Sequence, residues 1–211
     1  MKNKIVLSLF VATCLACILC TSCSGGGGGG GGSSSSSVNF GTWKLSKNEL
    51  EYKHDDYNLR TIQEYNWSSK KFTQKTTVKI GSNEPYENEI TIDMSPVIAA
   101  YEIYEKTYGW SYPYKLTLNK DGTVHSYSGN GLTYKVTWKT QGNNLQLIQT
   151  TTANGHSSKG VITIPYKMSD TELVLEFSKI KVDVSGDGAS ASVDYSKILE
   201  GYTQNWYYTR Q

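Results

Sequence analysis

The feature of this chain that most constrains its fold is a strict alternation of apolar and polar residues. In the segment LTYKVTWKT, residues 132–140, every second residue up to position 138 is apolar and the other residues are Thr or Lys. The segments ELVLEF at 172–177 and KIKVDV at 179–184 repeat the pattern. Successive side chains point to opposite faces in an extended strand. The alternation therefore predicts strands with one buried and one solvated face, and the apolar face of the first segment is formed by Leu132, Tyr134, Val136 and Trp138.

Turn motifs separate these strands. Asp121 and Gly122, in NKDGTV, form a hairpin signature because glycine accepts the positive φ that tight turns require. The motifs SGNG at 128–131 and QGNN at 141–144 are of the same kind. Several short strands joined by such turns are typical of an antiparallel sandwich or barrel. Pro165 interrupts the strand VITIPYK, which predicts a sheet edge or a bulge at that position.

One segment, SPVIAAYEIYEKTYG, departs from the alternation and predicts a single short helix. Ser95 is the expected N-cap, Pro96 the first helical residue and Gly109 the stop signal. Val97 and Tyr101 are one helical turn apart and would share a face. The rest of the chain after residue 37 reads as strands and turns.

The first 20 residues predict a secretory signal. Lys2 and Lys4 precede an apolar run that is shorter than the ~20 residues needed to cross a membrane. All four cysteines lie within the first 23 residues, where disulfides would not staple a domain. We therefore expect a folded domain without disulfides, whose stability depends on its core.

The stretch LCTSC resembles the lipobox of bacterial lipoproteins, in which a cysteine becomes the lipidated first residue. The resemblance implies a signal peptide at 1–22, lipid attachment at Cys23 and a membrane partner through that lipid. Residues 23–37 would be the lipidated cysteine and a flexible Gly/Ser tether with a reach of about 20 Å. Residues 38–211 would be one folded domain. Ordinary cleavage that leaves a free thiol is the alternative.

The residue after that cysteine bears on localisation. Ser24, rather than Asp, is by the same resemblance compatible with transit to the bacterial outer membrane. The periplasmic and the outer face of that membrane both stay open. The charge balance argues against a nucleic-acid partner, because without Lys2 and Lys4 the 19 basic residues balance 19 acidic ones.

Signals of catalysis are scarce. The chain has three histidines, no nucleophile elbow, no metalloprotease motif and no Gly-rich loop between a strand and a helix. No enzyme activity, catalytic residue or cofactor is expected. The segment DVSGDGASASVD at 183–194 matches several ligand offsets of a calcium loop, but a Gly/Ser-rich turn between strands explains the same letters. We therefore assign no metal.

Several segments together resemble a known family. GTWKL at 41–45, LTLNKDGTV, GNNLQL and MSDTELVLEF look like the lipocalin-like domain of secreted lipoproteins from Bacteroidota. The resemblance implies an all-β, calycin-type, up-and-down antiparallel barrel of about 8–10 strands with one short helix. Its structural signature would be Gly41 and Trp43 on the first strand and Arg210 on the last, with Arg210 over the Trp43 ring. Residues 47–113 are longer than the short connections expected of such a barrel.

Aromatic residues are the richest binding signal. Five Trp, sixteen Tyr and four Phe make up 12% of the chain, and they are dense in YEIYEKTYGWSYPY. Such residues combine apolar area with a polar handle, which suits a binding rim, although a helix that closes a barrel end would show the same face. The candidate ligand-binding residues are Tyr101, Tyr104, Trp110, Tyr112, Tyr134 and Trp138.

Two functional hypotheses follow. The first is a membrane-anchored lipocalin-like protein that binds a small apolar or amphipathic molecule in its barrel without covalent chemistry. The second is a surface module that binds carbohydrate or protein through exposed aromatic residues while its interior is filled. An open internal cavity favours the first hypothesis, and a packed interior favours the second.

Overall fold

The computed structural model of the protein describes residues 40–108 and 113–211. The signal peptide (1–22), Cys23 with its tether (23–37), Trp110 and Tyr112 lie outside these residues, so the expectations for them stay predictions. Within the described ranges, no helix is long and apolar enough to span a membrane.

Strands dominate the described part of the chain, as the alternation predicts. It contains thirteen strands, the helix α1 (Ser95–Tyr108) and two short 3-10 helices at Phe177–Lys179 and Tyr195–Lys197. The strands are β1 (Gly41–His54), β2 (Tyr57–Asn66), β3 (Lys71–Ile80), β4 (Tyr86–Asp93), β5 (Lys115–Leu118), β6 (Thr123–Gly129), β7 (Leu132–Gln141), β8 (Asn144–Ala153), β9 (His156–Met168), β10 (Glu172–Glu176), β11 (Lys181–Gly186), β12 (Ala189–Asp194) and β13 (Tyr202–Arg210).

The first and last strands pair with each other, as the expected barrel and the expected contact of Arg210 with Trp43 require. β1 and β13 run antiparallel, with Trp43 opposite Arg210 and Tyr52 opposite Tyr202. From β13 the sheet continues through β10, β9, β8 and β7 to β6. On its other edge, the start of β1 pairs with β5. Eight strands therefore form an up-and-down antiparallel barrel, in which β5 and β6 meet through their turn rather than through a ladder.

The strand count exceeds the expected 8–10 because two sheets grow out of this barrel. A register irregularity between Leu45 and Lys47 divides β1 into two parts. The part before it pairs with β5, whereas the part after it pairs with β2, which continues into β3 and β4. We call β2, β3 and β4 the extension. Residues 47–113 are too long for a short barrel connection, and the reason is that this segment builds a sheet of its own.

The second outgrowth is the hairpin of β11 and β12, and it explains Pro165. One edge of β9 pairs with β11 up to Thr163 and with β10 from Tyr166 onward. The 3-10 helix Phe177–Lys179 separates those two partners. Pro165 lies in the gap, where a strand residue needs no N–H for a ladder. The predicted sheet edge or bulge is therefore not what the structure has: β9 is an interior strand, Pro165 pairs with Asn144 of β8, and the proline is accommodated by a local gap between β11 and β10.

Local signals placed the turns and the helix well. Gly122 has φ +79°, and the Asp121 carboxylate accepts hydrogen bonds from the N–H and hydroxyl of Thr123 at 2.9 and 2.6 Å. Helix α1 begins at Ser95, which is therefore its first residue rather than its cap. The Asp93 carboxylate takes the capping role, since it accepts from the Ser95 N–H at 2.9 Å.

Candidate functional site

The barrel interior around Trp43 and Tyr208 is packed with its own side chains. Seven large residues, contributed by six strands, expose none of their surface, so none of them borders a space large enough for a water molecule. A lipocalin-type calyx would leave such residues lining a cavity. The filled interior therefore favours a ligand site on the surface. The seven residues are Trp43, Leu118, Leu145, Ile164, Leu173, Leu175 and Tyr208.

Arg210 closes the end of the barrel where the first and last strands meet. Its guanidinium carbon lies 5.9 Å from the centroid of the Trp43 ring, and its Nη2 donates to the Phe40 carbonyl at 2.7 Å. Gly41 has φ +144°, and a Cβ there would lie 3.3 Å from Arg210 Nε. The Gly-x-Trp signature thus has a physical reason: the glycine leaves room for the arginine beside the tryptophan.

Two of the predicted ligand-binding aromatics lie on β7. Trp138 is 8% exposed, and its Nε1–H donates to the Asn119 carbonyl at 2.9 Å. Tyr134 is half-buried, with its ring 5.8 Å from that of His125. The environment of Trp138 is that of a packed core residue, whereas Tyr134 retains some exposed surface. Neither lies in the groove described below.

The other two described candidates are on α1. The ring of Tyr101 packs 4.2 Å from that of Tyr114, which itself lies 5.8 Å from Tyr65. Burial raises the pKa of Tyr101, and the neighbouring Tyr114 adds to the shift. Tyr104 is 40% exposed. The aromatic segment therefore attaches the helix to the barrel while leaving one ring at the surface.

An open groove of about 680 Å³ lies where β1 divides between barrel and extension. We call it the branch groove. Strands β1 and β13 supply one set of its residues, and the end of β2 with the following turn supplies another. The lining residues are Lys44, Ser46, Lys47, Glu64, Tyr65, Asn66, Trp67, Ser68, Glu172, Tyr207, Thr209 and Gln211.

Two aromatic rings in the branch groove are held in fixed orientations. Trp67 donates from Nε1 to the Leu45 carbonyl at 2.5 Å, and the Lys44 ammonium lies 4.8 Å from its ring centroid. The Lys47 ammonium lies 3.8 Å from the centroid of Tyr207. Cation–π contacts of this kind stabilise a ring by roughly 0.5–1 kcal/mol at exposed sites. The groove therefore presents rings whose positions do not depend on a ligand.

The rim of the groove is electrostatically balanced. Two lysines and two glutamates line the groove, so their charges cancel and favour neither an anionic nor a cationic ligand. Beneath Tyr207, the Glu49 carboxylate accepts from the tyrosine hydroxyl at 3.2 Å and from Arg60 Nε at 3.0 Å. The hydrogen bond from Arg60 lowers the pKa of Glu49. The pKa of Tyr207 is raised, mainly by burial and to a lesser extent by the negative charge of Glu49.

The segment 183–194 is a hairpin of β11 and β12, and its carboxylates have separate partners. Asp183 accepts from the Ser192 hydroxyl at 2.6 Å, Asp187 contacts His156 at 3.0 Å, and Asp194 accepts from the Ser196 N–H. Among the described residues, no three His, Cys, Asp or Glu side chains are grouped to hold a metal. The segment is thus a hairpin with a Gly/Ser-rich turn, which was the alternative to a calcium loop.

Sequence reasoning missed Trp67 and Tyr207. Trp67 follows a segment for which the sequence predicted a strand and nothing more. Tyr207 lies on the face of β13 that points away from the barrel core. Nothing in the periodicity marks the division of β1, which brings the two segments together. A tryptophan placed immediately after a strand of alternating residues was the one local signal for a surface ring.

The fold and the groove together define an antiparallel β-barrel protein with a closed core and an open surface site. Residues 113–197, which run from β5 through β12, match a family model described as lipocalin-like. This match supports a lipocalin-like domain, a β-fold suited to small-molecule binding. No curated protein and no solved structure matches the chain.

Proposed function

We propose that this protein is a lipid-anchored, non-catalytic binding protein that takes a neutral glycan in the branch groove. This is the surface-module hypothesis, in which the interior is filled and exposed aromatic residues contact the ligand. The observation that carries it is the contrast between seven barrel residues that expose no surface and an open groove that contains two oriented rings.

The chemistry of the groove suits a sugar. Pyranose rings have apolar C–H faces and polar edges, so they pair an aromatic face with hydrogen-bonding side chains. Trp67 and Tyr207 supply rings, while Ser46, Asn66 and Gln211 supply uncharged polar groups. Its volume of about 680 Å³ fits a short oligosaccharide. Balanced lysines and glutamates favour a neutral ligand over an ionic one.

Lipid attachment at Cys23 is the second part of the proposal. It is supported by the lipobox-like LCTSC and by the Gly/Ser run that follows. Acyl chains on Cys23 would hold the domain at the outer membrane, because buried methylenes contribute ~0.8 kcal/mol each. Metabolic labelling with an alkyne fatty acid tests this part, and equal labelling of wild type and Cys23→Ala would refute it.

The binding proposal is tested with an array of neutral oligosaccharides, followed by calorimetry on the hits. Trp67→Ala should weaken binding about tenfold, which corresponds to ~1.4 kcal/mol. Tyr86→Ala is the matched control, since Tyr86 is a 69% exposed ring outside the groove. Circular dichroism verifies that each variant is folded.

Two outcomes would overturn the glycan proposal. One is a hit whose affinity is the same in wild type and Trp67→Ala. The other is binding of a fatty-acid-like probe that quenches tryptophan fluorescence and is lost in Tyr134→Ala, because that result would return the ligand to the barrel and to the first hypothesis.

A further inference from the structure

Strand β4 forms one end of the long sheet, and its outer edge is bare. β4 pairs with β3 on one side, and no strand among the described residues pairs with its other side. All eight of its residues, Tyr86–Asp93, are exposed. An edge of this kind presents a row of backbone N–H and C=O groups that another strand can match.

This edge lacks most of the features that block such pairing, but it does carry the acidic charges of Glu87, Glu89 and Asp93. The sequence YENEITID contains no proline and no lysine, and its register with β3 is unbroken over eight residue pairs. Natural edge strands are commonly protected by lysine, proline, a bulge or very short length. The edge is therefore open along its full length to a strand whose charges complement these acidic residues.

The two faces of β4 have different chemistry. One face carries Tyr86, Ile90 and Ile92, which are 69%, 45% and 49% exposed. The other face carries Glu87 and Glu89. A strand that pairs with β4 must therefore place apolar residues on the first face and complementary groups on the second.

The inner neighbour of β4 shows which groups complement its acidic face. In the register of the two strands, Lys75 of β3 lies opposite Glu89 and Lys71 opposite Asp93. The Lys75 ammonium forms an ion pair with Glu87 at 2.9 Å. Glu89 has neither a hydrogen bond nor an ion pair within the described residues. The charge of the acidic face is therefore only partly balanced by β3.

A second copy of this chain does not fit the bare edge. Antiparallel pairing of β4 with β4 would bring the acidic residues of one copy against those of the other. Like charges directly opposite each other destabilise a strand pair. Opposite charges stabilise it by roughly 0.2–1 kcal/mol per pair. The charge pattern therefore favours a basic strand from another protein.

We propose that β4 is a docking strand that adds to its edge an extended segment of a partner protein, in which Lys or Arg alternates with apolar residues. The basic side chains would lie against Glu87 and Glu89, and the apolar ones beside Ile90 and Ile92. Main-chain hydrogen bonds provide the affinity in this mode, and the alternating side chains provide the specificity. This site is separate from the branch groove and does not depend on the glycan proposal.

The test uses a fluorescent peptide with the sequence KFTQKTTVKI, because that is the sequence of β3, which already complements β4. Its binding to the full chain is measured by fluorescence anisotropy at low and high salt. We expect saturable binding that weakens with salt and falls about fivefold in Glu89→Lys. Glu200→Lys, a change of the same charge at an exposed residue outside the extension, should bind as wild type does.

Hydrogen exchange then identifies where the peptide lies. Bound peptide should slow amide exchange in residues 86–93, and peptide N-methylated at every second residue along one edge should fail to do so. Absence of binding, slowing confined to the branch groove, or equal binding by Glu89→Lys would overturn the proposal. A concentration-dependent dimer that Glu89→Lys alters would also overturn it, because it would make a second copy the occupant.

Discussion

The barrel and the extension are built from the same alternating pattern but reach different states. In the barrel, alternate side chains meet those of the opposite wall, and residues such as Leu145 and Ile164 expose no surface. In the extension, the corresponding side chains meet no second layer, and Ile90 and Ile92 stay about half exposed. Alternation makes a face available for burial, but only an opposing layer buries it.

Polar ladders replace the missing layer in the extension. On the face continuous with the barrel interior, Gln204 donates to Asn48, Asn48 to Gln63, and Gln63 to Gln74, at 3.4, 3.0 and 2.8 Å. These bonds cross four adjacent strands. Each is worth only about 0.5–1.5 kcal/mol, less than a buried aliphatic side chain. The extension should therefore be the less stable of the two regions.

A matched pair of isoleucines gives the largest expected difference. Ile164→Ala, at a fully buried position of β9, should lower the free energy of unfolding by about 2–5 kcal/mol. Ile90→Ala on β4, where the side chain is 45% exposed, should cost less than about 1 kcal/mol. Urea denaturation measures both. Losses of equal size would show that the extension is buried as well as the barrel core is.

The closure of the barrel by Arg210 gives the next largest effect. Arg210→Ala removes the contact with Trp43 and the bond to the Phe40 carbonyl, and should cost about 1–2 kcal/mol. Gly41→Ala should also destabilise, because its Cβ meets the Arg210 side chain. Since truncating Arg210 removes that crowding, the double variant should lose less than the sum of the two single losses. An unchanged melting temperature for Arg210→Ala would rule out this closing role.

Within the extension, the middle of the amide ladder should matter more than its end. Gln63→Ala removes two hydrogen bonds and should cost about 1 kcal/mol, whereas Gln74→Ala removes one and should cost about half as much. Chemical denaturation of both variants at neutral pH measures the difference. Equal costs would indicate that water replaces the ladder bonds without loss.

The smallest expected effect is the pH dependence of the Glu49–Arg60 pair. Because the folded-state pKa of Glu49 is lowered, its stabilising contribution is present above the unfolded pKa of about 4.3 and is lost as the pH falls through the folded value. Glu49→Gln should therefore reduce stability at pH 7 by less than about 1 kcal/mol, and the penalty should be smaller at pH 3, below the unfolded pKa. Urea denaturation at the two pH values measures this, with Glu200→Gln as the control. A penalty as large at pH 3 as at pH 7 would assign the loss to packing instead.

Much of the fold was readable from short segments. The strand around Trp138, the turn at Gly122 and the antiparallel contact between Trp43 and Arg210 all follow from local patterns or from the family resemblance. The divisions of β1 and β9 did not follow, because a strand has the same alternation whichever neighbour occupies its edge. For that reason the groove beside Trp67 and the bare edge of β4 were invisible until the strands were placed.

The sequence by itself determined that this chain forms antiparallel strands with two unlike faces, and that its folded part has no cysteine to cross-link it. The tertiary structure alone decided which of those faces would be covered. Burial is a property of two layers, and residues such as Ile164 and Ile90 have the same side chain but different surroundings. The alternation of apolar and polar residues along a strand shows which of its two faces is apolar. It does not show whether another layer of the protein covers that face.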